Sequence, residues 1–79
     1  MLKLSFKTSK KRDEIINQAE SFFKGKGLVT KEKGDCCVHM EGGGGYVRVD
    51  VVDDGEREVT LETREFEYQV KQFAAQHGK

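Results

Sequence analysis

Cys37, His39 and Glu41 stand two residues apart in the run DCCVHMEG, a spacing that turns three potential metal or acid–base groups to one face of a strand. A structural zinc site takes four ligands, however. The remaining thiol, Cys36, falls on the opposite face by alternation, and the other imidazole, His77, sits in a separate helical pattern, so no metal or cofactor is expected. A catalytic Cys37–His39 pair would also need an orienting third group and a pocket, neither of which the run supplies. Alternation separates adjacent side chains and a vicinal bridge strains the backbone, so both cysteines read as reduced thiols, Cys36 in the core and Cys37 outside it.

A second cluster lies at the start of a helical pattern, where Lys7, Lys10, Lys11 and Arg12 surround Thr8 and Ser9. Cations are unfavourable at a helix N-terminus, which prefers negative charge. Free backbone N–H groups, a capping hydroxyl from Thr8 or Ser9 and several cations make Thr8, Ser9, Lys10, Lys11 and Arg12 a candidate site for phosphate or another anion. Asp13 and Glu14 offset part of that charge within the same turn. The glycine run 42–45 is no phosphate loop: a strand pattern follows it, without the Gly-Lys-Ser/Thr ending that opens a helix. It reads instead as a loose, mobile connection or lip.

A third set is defined by alternation. Residues 35–64 form three strand-like runs whose inward rows are Cys36, Val38 and Met40, then Val47, Val49 and Val51, then Val59, Leu61 and Thr63. The opposite rows bring Cys37, His39, Tyr46, Arg48, Asp50 and Thr60 to one polar face, near Lys3, Ser5 and Lys7. One aromatic ring and one guanidinium among mixed charges suit a small polar ligand or a partner segment. Nucleic acid would want more aromatics and fewer carboxylates.

These residues must be positioned by a small set of elements. Leu2, Leu4 and Phe6 alternate with Lys3, Ser5 and Lys7 in an N-terminal strand, after which Thr8 or Ser9 caps a helix. Ile15, Ile16, Ala19, Phe22 and Phe23 form its apolar stripe, and Gly25 and Gly27 stop it. A strand over Leu28–Lys33 turns at Gly34-Asp35 into the central runs, and Asp54-Gly55 marks a hairpin between the last two. A second helical stripe follows at Phe66, Val70, Phe73, Ala74 and His77, entered by a tight turn without glycine.

The expectation is a single α+β domain over 1–79, with two layers: an antiparallel sheet, two helices on one face, and element order β-α-β-β-β-β-α. In element order this resembles one repeat of the TATA-box-binding-protein fold and, more distantly, the helix-grip folds, whose curved sheet leaves a concave face open. The resemblance covers most of the chain and carries over no functional residue. A ferredoxin-like fold is the alternative and requires one more strand after the second helix.

The 79 residues carry 14 Lys/Arg and 14 Asp/Glu, a formal net charge of zero, which removes the global basicity of most nucleic-acid binders. The charge is uneven, with nine Lys/Arg against four Asp/Glu in residues 1–33 and five against ten in 34–79. No apolar run approaches a membrane span or the apolar segment of a signal peptide, so a cytoplasmic location is expected. The composite expectation is a non-enzymatic binding or interaction module that uses its open sheet face, with a protein or small polar ligand as partner, or a second copy paired through a sheet edge or face. The alternatives are the anion site at the first helix and, third, nucleic-acid binding with steep salt dependence.

Overall fold

The computed structural model describes residues 1–54 and 56–77. The chain runs through β1 (Leu2–Thr8), α1 (Arg12–Lys24), β2 (Val29–Lys33), β3 (Cys37–Gly42), β4 (Gly45–Asp54), β5 (Glu56–Arg64) and α2 (Glu67–His77). The five strands form one antiparallel sheet in the order β1-β5-β4-β3-β2, so the two longest strands, β4 and β5, lie towards its middle. The Asp54-Gly55 hairpin turn includes Gly55 and lies outside the described residues.

Both helices cover the same face, α1 over β2, β3 and β4, and α2 over β1 and β5. The alternating rows follow from that one-sided cover. Val38, Met40, Val47, Val49, Val51, Val59 and Leu61 are buried under the helices against Ile15, Ile16, Ala19 and Phe23 of α1 and Val70 and Phe73 of α2. Thr63 is also fully buried, and its hydroxyl is satisfied by donating to the Tyr46 carbonyl at 2.7 Å. Phe73 is the meeting point of the layers, with ring centroids 5.4 Å from Phe22, 5.7 Å from Phe23 and 6.5 Å from Phe6.

A second tie joins α1 to β2. Glu20 accepts a hydrogen bond from Thr30 Oγ1 at 2.6 Å and one from Lys33 Nζ at 2.8 Å, and Lys33 also donates to Asn17 at 2.9 Å. The Lys33 bond, followed by that from Thr30, holds the Glu20 carboxyl below its usual range.

The turns correct three expectations. Helix α1 starts at Arg12 with Lys11 as its N-cap and no side-chain cap, so neither Thr8 nor Ser9 caps it. Thr8 is still in the sheet opposite Arg57, and its hydroxyl accepts from the Lys10 N–H at 3.2 Å. Glycines 42–45 form no long loop. Gly42 pairs with Gly45, and Gly43 and Gly44 make a two-residue turn at φ 57° and 82°, the paired positive angles of a tight hairpin. Cys36 is exposed rather than in the core, because β3 begins only at Cys37 and the residue before it escapes the alternation.

The glycine stop of α1 is present: Gly27 at φ 96° lets Leu28 N–H reach Phe23 O and Gly27 N–H reach Lys24 O, each at 3.1 Å. Leu28 then enters the core, and β2 carries a register shift between Thr30 and Glu32. The entry to α2 is tight, with Glu65 at φ 80°. Gly45 accommodates that turn, since a Cβ there would meet the Arg64 carbonyl and lie 2.6 Å from Glu65 Cβ. Gly45→Ala is expected to cost about 1–3 kcal/mol of folding stability through this overpacking, as read from urea denaturation; unchanged stability would contradict the requirement for glycine there.

Candidate functional site

Antiparallel register assembles the uncovered face into columns that cross the strands. One runs Ser5, Thr60, Asp50, Cys37; the next Lys3, Glu62, Arg48, His39, Glu32; a third Arg64, Tyr46, Glu41, Val29. All six residues assigned to this face from sequence, Cys37, His39, Tyr46, Arg48, Asp50 and Thr60, therefore lie in three adjacent columns. Among the described residues no element packs over them.

Most charges on the face are already paired. Tyr46 donates to Glu62 Oε2 at 2.7 Å, His39 Nε2 lies 3.0 Å from Glu41 Oε2, and Arg48 Nε lies 3.5 Å from Asp50 Oδ2. Ser5 and Thr60 share a hydroxyl hydrogen bond at 3.1 Å, and Lys7 faces Glu58 at 3.9 Å. The bond to Glu62, with burial second, pushes the Tyr46 phenol above its ordinary value, so it remains a donor.

The distinctive feature is an aromatic platform. The His39 and Tyr46 rings, from neighbouring strands, lie 5.7 Å apart and only 7° from parallel. Arg48 and Arg64 are exposed beside them, and a groove of about 510 Å³ opens over His39, Glu41, Tyr46 and Arg64. Val29 and Val52, 54% and 52% exposed, lie on the same face towards opposite ends. These two valines were not singled out in the sequence; the strand patterns contained them, but only pairing with Glu41 and Glu58 places them here.

The anion candidates are split apart. Lys11 and Arg12 line a cleft of about 420 Å³ at the start of α1, whereas Thr8, Ser9 and Lys10 do not. Lys10 Nζ instead lies 2.8 Å from His77 Nδ1. Lys33 and Arg57 join the cleft from β2 and β5, together with Asp13, Asp35 and Asp53. Arg57 donates to the Lys10 carbonyl at 3.2 Å, and its Nε approaches Asp53 Oδ2 at 3.5 Å without forming a hydrogen bond. Its place could be found only by pairing it with Thr8.

Among the described residues no three His, Cys, Asp or Glu side chains are placed to hold a metal ion. No described helix is long and apolar enough to cross a membrane. Compared with known families and with curated proteins, the chain matches no family model and none of the curated sequences.

His77 sits against Phe73, with ring centroids 4.3 Å apart. Burial first, and the Lys10 charge second, lower its pKa below 6.5, outweighing Glu14. A neutral ring can accept from Lys10, and the unfolded chain binds the proton more readily. Stability is therefore fully present above pH 6.5 and declines as pH falls towards the lowered folded value. Urea midpoints measured from about pH 7.5 to about pH 5 should fall more for the wild type than for His77→Gln; equal slopes would contradict this.

Proposed function

We propose that the chain is a non-catalytic interaction module whose open sheet face receives a polar partner segment or small ligand. The observation that carries this reading is the His39–Tyr46 stack, uncovered and flanked by Arg48 and Arg64. Parallel rings held by the sheet lose little conformational freedom on binding, and a guanidinium beside them offers directed donors to carboxylates, carbonyls or phosphates. Glu41, Asp50, Glu58 and Glu62 are already engaged with neighbours on this face, which leaves the half-buried rings and the arginines as contact area. Two free thiols, that of Cys36 exposed, suit a reducing compartment, which is the basis for placing the module in the cytoplasm.

The test is comparative capture from a cell extract, with the wild type, the face variant His39→Ala/Tyr46→Ala/Arg48→Ala, and a helix-layer control, Asn17→Ala, as baits. A true partner binds the wild type and control alike and loses about 1–2 kcal/mol or more of affinity, roughly tenfold, with the face variant. Binding unaffected by the face variant, or no specific binding to any bait, overturns the reading.

A second reading rests on the α1 N-terminus. The helix starts without a side-chain cap, and its first turn opens into the cleft where Lys11, Arg12, Lys33 and Arg57 converge. Such N–H groups, of which that of Glu14 already donates to Asp13 Oδ1 at 3.0 Å, suit a phosphate-bearing ligand together with four cations, although the three aspartates there weaken the field. Amide NMR with inorganic phosphate and phosphorylated metabolites should show shifts confined to residues around Lys11–Asp13 and Arg57, lost in Lys11→Ala/Arg12→Ala. Shifts that persist in that variant would refute it.

A further inference from the structure

The two cysteines do not face opposite ways: their Sγ atoms lie 2.8 Å apart. Cys36 precedes β3 and is exposed, so its side chain is free to turn alongside that of Cys37. The backbone that presents them is held on both sides. Cys36 O accepts from Val51 N–H and Cys37 O from Gly34 N–H, each at 2.8 Å.

This geometry disfavours a direct sulfur–sulfur bond. Adjacent Cα atoms are about 3.8 Å apart across a trans peptide, whereas disulfides span about 4.4–6.8 Å, so bonding would distort the Cys36–Cys37 peptide unit, whose carbonyl is held by Val51 N–H, and strain the next unit, whose carbonyl is held by Gly34 N–H. A third atom bridging both sulfurs makes no such demand. Zinc asks for four ligands, and no third His, Cys, Asp or Glu among the described residues joins the pair to hold a metal. The pair fits a thiophilic centre that needs only two sulfurs.

We propose that Cys36 and Cys37 form a chelating dithiol site for trivalent organoarsenicals. The arsenic of such a compound carries one carbon substituent and completes a three-coordinate pyramid with two sulfurs. With an oxide R–As=O, two As–S bonds form, the arsenic–oxygen bond is lost, and the two thiol protons leave with that oxygen as one water. No oxidation state changes. The hydrogen bond to Cys36, then burial, pushes the Cys37 thiol up to about 11, so it carries its proton until the oxygen takes it.

The test adds phenylarsine oxide to the reduced full chain and follows intact mass and free thiols. The expected adduct contains one reagent per chain, weighs the reagent less one water, and leaves no free thiol. Because the second bond forms intramolecularly, the adduct should withstand ~100-fold more competing monothiol than those of Cys36→Ser or Cys37→Ser, and a small dithiol should release it. Circular dichroism verifies that both variants fold, and Cys36→Ala provides a second change at the exposed position. An adduct displaced by monothiol as readily as those of the variants, two reagents per chain, no adduct, or a reduced protein without free thiols would each overturn the proposal.

Discussion

Each strand of this sheet can be dry on only one side, because both helices lie over the same face. From that constraint follow the valine, leucine and methionine rows beneath the helices and the polar rows opposite. It also confines charge. A side chain such as Arg48 or Glu62 is tolerated only where water or a partner reaches it, so the covered face carries almost entirely apolar groups, with the buried threonines Thr8 and Thr63 each hydrogen-bonded.

Two local interactions set how the helices sit on that face. Phe73 brings α2 into contact with Phe22 and Phe23 of α1 and Phe6 of β1, so a single ring couples both helices to an edge strand. Glu20 does the corresponding work at the other edge, where its bonds to Thr30 and Lys33 fasten α1 to β2. The first is buried and insensitive to salt; the second is a surface ion pair reinforced by hydrogen bonds and weaker for being solvated. The edge at β2 is also interrupted by its register shift and flanked by Lys31, Glu32 and Lys33, features that discourage pairing with another sheet.

The chemistry-bearing groups sit where this architecture leaves room. The open face gathers paired charges around one stacked imidazole and phenol, while one end of the sheet holds both the cation-rich cleft and the adjacent thiols. The last two arise where regular structure stops. Helix α1 follows β1 after a three-residue connection and its N-cap, Lys11, makes no capping bond, and a cysteine just outside a strand is released from alternation.

Much of this was legible from sequence, and the physical reason is period. Alternation of two identified the residues beneath the helices and the six residues of the open face, because a strand has no other way to divide its side chains between water and core. Helical spacing in the same way marked Ile15, Ile16, Ala19 and Phe23, then Val70 and Phe73. Periodicity does not reach element ends, and there the reading failed: at Cys36, at the supposed cap of α1, and at the glycine run that proved to be a tight turn. Nor does it reach between elements. The parallel His39 and Tyr46 rings, the Lys10–His77 contact across 67 positions and the arrival of Arg57 beside α1 depend on register and helix placement, which are set by the packed core as a whole. Local sequence determined which face each residue would take; only tertiary packing decided which of those residues would meet.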